Sequence, residues 1–358
     1  MPTIYYYGID TNKGGMETYA LNLINGITAK DNSIKFHLIT QYENFGYKEE
    51  LCSNSNFSYT IIPSRQKHPF KYMNAIYDIL SKANTEDLCQ INIMSYKNRL
   101  MLKAVKKSGI KTIIVGHSIN NNGFLNKLLH LCGRFKYKKF GIKVANNELV
   151  VKHMFKSSKE NVNLIPIGIN PNKFLFNNEK RKVLRAKYNI KENDFIIGQV
   201  GRISKEKNQL FSCKVIKRAN INNVHLFLIG QDYNPKVKKY VTKHNILNVH
   251  FLGEIDHIEN YYNMFDLFIL PSKYESAGFV FYEALANDCF SLISNNIPLN
   301  GIQTENYKVL NLKKKKWIEF IKTFKNNYKG RVFGKLKTVP TTEVQIDGYL
   351  KLYKSLSK

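Results

Sequence analysis

Short apolar runs alternate with helical patterns along this chain, and the alternation sets the expected fold. Ile4, Tyr5, Tyr6 and Tyr7 read as a first buried strand, and after them Tyr19, Leu21, Leu23, Ile24 and Ile27 give an amphipathic helix. Residues 36–40, 88–93 and 112–115 continue the strand series, with helical spacing between them. A strand pattern from 162 then runs into Pro166, Gly168 and Pro171, which mark a domain boundary. The same alternation restarts at 195–200 and goes on through 224–229, 249–253 and 267–270. Residues 290–293 and 307–310 read as the last strands, and 346–356 as a terminal helix. Strands alternating with helices predict an α/β fold of parallel, doubly wound sheets. Ligands of such sheets bind beyond the carboxyl ends of the strands.

Length and composition narrow the class. At 358 residues the chain has room for two cores, and 43% apolar residues suit a soluble globular protein. No apolar run is long enough to cross a bilayer, and the start lacks the basic and apolar regions of a signal peptide. Cys52, Cys89, Cys132, Cys213 and Cys289 are odd in number and widely spaced, so reduced thiols in a cytoplasmic setting are expected rather than a disulfide framework or a zinc site. The charge is unusual: 55 Lys and Arg against 27 Asp and Glu leave a formal +28. Such a field favours anionic partners, namely nucleic acid, a lipid surface or a phosphorylated substrate.

The candidate chemistry gathers after two second-half strands. Residues 270–286 leave a buried strand and enter a helix near Gly278, with Glu275 in the loop and Glu283 more than a turn inside. A helix start between two carboxylates offers N–H groups to an anion, with an acid on either side for hydroxyls. The plain alternative is a helix capped by Ser276 or Glu275, with Glu283 on a solvated face. Arg202 and Lys207 follow the strand 195–200; a planar fork and a mobile cation together suit a diphosphate. No Asp-x-Asp is present to anchor a metal–diphosphate, so no metal and no cofactor are expected. In the first half, Gly14 and Gly15 precede a helix, and His117 follows the strand 112–115. No dinucleotide fingerprint or P-loop accompanies them. Residues 124–140 form a basic amphipathic segment with Leu125, Leu128, Leu129 and Cys132 on one face, read either as a core-facing helix or as one lying on an anionic bilayer.

Taken together, Gly14-Gly15-Met16-Glu17, Gly116-His117-Ser118, residues 165–170, the run from Val200 through Arg202 to Lys207, and Glu275 with Glu283 eight residues beyond it resemble glycosyltransferase family 4. The resemblance spans most of the chain and leans toward the bacterial capsular and exopolysaccharide branch. It implies the GT-B fold, two Rossmann-like doubly wound domains facing a central cleft, with retaining, metal-independent transfer. The expected division is 1–165 for acceptor and membrane, 166–335 for the nucleotide sugar, and 336–358 as a helix crossing back. Arg202 and Lys207 would bind the diphosphate and stabilise its charge, Glu275 would contact the donor sugar, and Glu283 the ribose. The amides of Gly278 and Phe279 would meet the sugar or phosphate, Gly15 the diphosphate, and His117 would lie near the transferred sugar. Two positions depart from the family pattern. Ser276-Ala277 replaces a commoner Gly-Phe pair, and Asn287-Asp288-Cys289 stands where Gly-Leu-Pro is usual.

The expected partners are therefore a nucleotide-sugar donor, UDP-hexose favoured, and a lipid-linked glycan acceptor, with the enzyme peripheral on the inner membrane face. A GT-B nucleotide-sugar epimerase is the rival enzyme; it needs acid–base residues around the sugar that have no assignable pairing here. A nucleic-acid-binding protein is the rival of another class, but Tyr and Phe fall mostly within apolar strand patterns, and no nucleic-acid motif accompanies them.

Overall fold

The structure is a computed structural model that describes residues 2–118, 123–156, 162–299 and 301–357. The chain divides into two compact units, one of residues 1–168 with 341–358 and one of residues 169–340.

Seven parallel strands run through the first unit: β1 (Thr3–Tyr7), β2 (Lys35–Thr40), β3 (Phe57–Ile61), β4 (Leu88–Ile93), β5 (Lys111–Gly116), β6 (Ile142–Ala145) and β7 (Asn163–Leu164). Their order is β3-β2-β1-β4-β5-β6-β7, so the winding reverses between β1 and β4. Every residue of β4 is buried, as a central strand covered on both faces requires. The strands β3 and β6 were not foreseen: β3 has only Phe57 buried, and β6 has only four residues, so neither carries a clear apolar run.

The C-terminal helix Thr342–Leu356 belongs to this unit and packs on the helix Gly15–Lys30. Its buried Tyr349 accepts a 2.6 Å hydrogen bond from Tyr19, and Tyr353 donates to Gln90 at 2.5 Å. Ile346 occupies the space that a side chain at Gly26 would fill.

The segment 124–140 departs from the core-facing reading in the face it buries. Its helix, Phe124–Tyr137, turns His130, Gly133 and Tyr137 inward, while Leu125, Leu128 and Cys132 are exposed and Leu129 is half-buried. The apolar stripe is not the core side.

In the second unit β8 (Phe195–Val200), β9 (Val224–Ile229), β10 (Val249–Gly253), β11 (Leu267–Leu270), β12 (Ser291–Ser294) and β13 (Tyr307–Leu310) form a parallel sheet. The order is β10-β9-β8-β11-β12-β13, with the reversal between β8 and β11. Side chains alternate between two cores as the two-residue period of a strand demands. Phe195, Ile197, Leu226, Leu228, Leu267 and Ile269 join Trp317 on one face. Ile196, Val200, Phe227, Ile229, Phe268 and Leu270 join Tyr262 and Phe281 on the other. The architecture is GT-B, with two Rossmann-like units.

Candidate active site

The reversal between β8 and β11 leaves a crevice past their carboxyl ends, and ligands of doubly wound sheets bind at such a point. Two loops border it: 201–208 after β8, and 271–278 after β11. They are tied to each other by hydrogen bonds onto backbone carbonyls. Lys273 N–H donates to Glu206 C=O at 2.8 Å, and Asn208 Nδ2 donates to Pro271 C=O at 3.0 Å. Within the first loop, Gln199 Nε2 holds Lys207 C=O at 2.8 Å, and Gln209 holds the carbonyls of Gly201 and Arg202. Gly230 at the end of β9 has φ +139°, and a Cβ there would lie 2.5 Å from the oxygen of Gly201. Only glycine lets these two strand ends close together.

On this frame the functional side chains converge. Lys207 Nζ lies 2.6 Å from Glu275 Oε2, with both side chains largely buried. Arg202 is exposed, and its guanidinium carbon stands 6.0 Å from the centroid of the Tyr233 ring. The helix Phe279–Ala286 starts after Gly278, whose φ of +81° places it in the left-handed region. Gly278, rather than Ser276 or Glu275, is the N-cap residue, and it has no side chain to cap the helix start. The first amides are left aimed out of the helix beside Glu275, the arrangement that receives an anion.

Glu283 is the fifth residue of that helix and is half-buried. Burial raises its pKa above the ordinary Glu value, while a hydrogen bond from Tyr262 and the charges of Lys173 and Lys207 oppose the rise. The Tyr262 hydroxyl donates to Glu283 Oε2 at 2.6 Å. Tyr262 is itself fully buried, and burial and the neighbouring carboxylate push its phenol well above the usual value. One carboxylate oxygen is thus held by the protein, which fixes the direction of the other.

Tyr262 is held in turn by a residue without a sequence signal. Arg331 donates to the carbonyls of Tyr262 at 2.6 Å and Phe265 at 2.7 Å, and to Asn287 Oδ1 at 2.5 Å. Asn287 donates onward to Phe174 C=O at 2.8 Å and Asn263 Oδ1 at 3.1 Å. The departure from the family pattern at 287–289 is therefore a buried amide knot, and its turn is completed by Asp288 at φ +52°. Tyr262, Asn287 and Arg331 were missed because each takes its role from partners distant in sequence.

Lys207, Glu275, Gly278, Phe279 and Glu283 gather in the second unit, and Arg202 lies in the same loop as Lys207, beside the Tyr233 ring. Gly15 and His117 belong to the first. Gly15 is the first residue of the helix Gly15–Lys30 and is exposed. Glu17 fastens the loop before it by accepting from Gly14 N–H and Asp10 N–H, both at 3.1 Å. His117 is buried, its Nε2 is 3.0 Å from Asn92 Oδ1, and its ring stands edge-on to Tyr19. Asn92 Nδ2 donates to Tyr7 C=O, so Oδ1 is an acceptor and His117 carries its proton on Nε2. Burial lowers the His117 pKa to about 4, so the ring is neutral near pH 7. Among the described residues no group of three His, Cys, Asp or Glu is placed to hold a metal.

Residues 180–329 match the family model described as glycosyl transferases group 1. The protein is a glycosyltransferase. Its chain is 25% identical over 301 residues to the putative glycosyltransferase EpsF of Bacillus subtilis, covering 80% of this chain and 77% of that one. It is 26% identical over 163 residues to an Escherichia coli UDP-Gal:alpha-D-GlcNAc-diphosphoundecaprenol alpha-1,3-galactosyltransferase, 44% of this chain and 41% of that relative. Among solved structures, Anabaena HepE in complex with UDP and glucose superposes with a TM-score of 0.75 at 14% identity, over 100% of this chain and 97% of that one. WaaG, a glycosyltransferase of lipopolysaccharide biosynthesis, gives 0.69 at 16% identity, over 99% and 95%. The structural likenesses establish the fold.

Proposed function

We propose that this glycosyltransferase is a retaining, metal-independent hexosyltransferase of family 4 type. In this reading it moves a hexose from UDP-hexose to a lipid-linked glycan in bacterial capsular or exopolysaccharide synthesis, working peripherally at the inner membrane face. The observation that carries the reading is the crevice at the β8–β11 reversal, where two cations and one carboxylate lie in a tied pair of loops and the helix that follows brings its start and a second carboxylate. UDP in the complex of HepE and the UDP-Gal and diphosphoundecaprenol in the name of the E. coli relative support donor and acceptor classes.

Each group has a task set by its chemistry. Arg202, Lys207 and the amides after Gly278 face the diphosphate, whose negative charge grows as the bond to the sugar breaks. Fixed cations and helix N–H groups stabilise that charge, and removing one such contact costs about 10²–10³-fold in rate. Glu275 accepts from donor-sugar hydroxyls, and Glu283, held by Tyr262, accepts from the ribose. The acceptor hydroxyl attacks on the face the diphosphate leaves, and its proton passes to the leaving phosphate oxygen. That route retains configuration and uses no carboxylate nucleophile. The cations of Arg202 and Lys207 take the place a divalent metal fills elsewhere.

The test is thermal stabilisation by a panel of UDP-, GDP- and ADP-sugars, with Glu283→Ala and Arg202→Ala beside the natural protein. A ligand that binds only the folded state raises its melting temperature by mass action. Stabilisation by UDP-hexoses that both variants lose is expected. Transfer that persists unchanged in EDTA checks metal independence. No response to any nucleotide sugar at millimolar concentration overturns the reading.

A further inference from the structure

The helix Phe124–Tyr137 presents its apolar side away from its own unit. At 3.6 residues per turn, His130, Gly133 and Tyr137 share one face, and these are the buried residues of the helix. Phe124, Leu125, Leu128, Leu131 and Phe135 fall on the opposite face, and all five are exposed, Phe124 by 84% and Phe135 by 86%. Single exposed apolar residues are ordinary. Five along one stripe of a 14-residue helix make a contiguous patch, and such patches mark interaction sites.

Charge selects the occupant. Lys127 and Arg134 border the stripe on one side and Lys136 on the other, with Lys138 and Lys139 just past the helix end. From residue 88 to residue 147 the sequence contains twelve Lys and Arg and not one Asp or Glu. Two copies of the chain meeting on this face would bring those cations together with no acid in the segment to offset them. An anionic lipid surface satisfies both features at once, apolar chains for the stripe and phosphates for its borders.

The helix is also firmly seated. A Cβ at Gly133 would lie 2.1 Å from the carbonyl oxygen of Tyr96, so glycine is needed for the helix to lie against that backbone. Tyr96 N–H donates to His130 Nδ1 at 3.4 Å. Tyr96 follows β4, at the carboxyl edge beside the β1–β4 reversal. The stripe is thereby fixed to the edge at which a doubly wound sheet holds its ligands.

We infer that this helix is a membrane anchor that lies in the headgroup layer of an anionic bilayer, with Phe124, Leu125, Leu128, Leu131 and Phe135 inserted among the lipid chains. The inference rests on the lipid-linked acceptor proposed above, and it adds the docking element and its mode, apolar insertion with charge at the borders. It brings the ligand edge of the first unit to the surface where a lipid-linked acceptor resides.

The test is co-sedimentation of the full chain with vesicles of phosphatidylglycerol and phosphatidylcholine, or of phosphatidylcholine alone. The natural protein, a Phe124→Ser/Phe135→Ser double variant and a Lys136→Gln/Lys139→Gln double variant are compared. Anionic vesicles are expected to bind the natural protein about tenfold or more tighter than neutral ones. The Phe variant should lose about tenfold or more at every salt concentration, since burial of apolar surface is not screened. The Lys variant should lose affinity mainly at low salt, and the natural protein should retain part of its binding at about 1 M salt, where the Debye length is about 3 Å. Unchanged vesicle binding by the Phe variant, or complete release of the natural protein at high salt, overturns the anchor. So does a dimer in solution that the Phe variant alone dissociates. Stabilisation by UDP-hexose is read on the same preparations. If it is intact while vesicle binding fails, the anchor alone is lost; if it is absent from the natural protein, the transferase proposal falls instead.

Discussion

Lys207 Nζ and Glu275 Oε2 are 2.6 Å apart, joining the loop after β8 to the loop after β11. In the free protein the cation assigned to the diphosphate is thus neutralised by the carboxylate assigned to the sugar. A ligand that offers only a diphosphate competes with Glu275 for Lys207. A complete nucleotide sugar gives Glu275 hydroxyl donors in exchange.

Glu275→Gln should therefore separate product binding from catalysis. Freed from its counter-charge, Lys207 is expected to bind UDP about fivefold tighter, corresponding to about 1 kcal/mol. Transfer should fall by about 10²-fold or more, because the sugar loses its charged acceptor. Calorimetry with UDP and initial-rate kinetics check the two halves, and weaker UDP binding in the variant would refute the competition.

Tyr262→Phe removes the donor that aims Glu283 and leaves the ring in place. A hydrogen bond to a charged group contributes about 1.5–3 kcal/mol, so the donor KM should rise about tenfold. The kcat should change little, since Tyr262 acts through Glu283 and not on the reacting bond. A drop confined to kcat would contradict the positioning role.

Glu283→Gln should raise the stability of the unliganded protein while it loses donor binding. The folded pKa of Glu283 lies above its unfolded value. Its contribution is therefore fully present at low pH and is lost as pH rises through the folded pKa. At neutral pH the natural protein carries the cost of a buried carboxylate that the amide lacks. A melting temperature higher by about 1–3 °C at pH 7.5 is expected, with the difference shrinking toward pH 4.

Arg331→Ala should be among the most damaging changes outside the crevice. The guanidinium serves the carbonyls of Tyr262, Asn263 and Phe265 as well as Asn287. Leaving several buried acceptors without a donor should cost about 3–5 kcal/mol, measured by urea unfolding.

His117 makes the fold sensitive to acid. Its folded pKa of about 4 lies below the ordinary 6.5, so between those values the unfolded chain takes up a proton that the folded one refuses. Stability from this residue is complete above pH 6.5 and falls as pH drops toward 4. His117→Gln should flatten the stability–pH slope in that window by up to about 1.4 kcal/mol per pH unit, whatever its effect at pH 7.

Much of the crevice was legible before the fold. Strands such as 195–200 and 224–229 are six-residue runs that are apolar except for Gln199 and His225, a pattern that holds whatever packs on them. Arg202, Lys207 and Glu275 sit in loops directly after strands, and in a parallel sheet all such loops open at one edge. Local order along the chain was enough to bring them to the same side.

The knot of Tyr262, Asn287 and Arg331 was not legible, nor was the side of the helix Phe124–Tyr137 that faces the core. A tyrosine in an apolar stretch looks the same whether its hydroxyl meets a carboxylate or nothing. An amphipathic helix has one apolar stripe whether that stripe turns in or out.

The sequence alone therefore determined the parallel α/β alternation and the loops that carry the chemistry. These follow from period and adjacency along the chain. Only the tertiary structure decided which oxygen of Glu283 is held, that Lys207 is paired in the free protein, and that five apolar side chains of one helix remain uncovered. The first two depend on groups brought together from residues 21 and 68 positions apart, and no local pattern records such meetings.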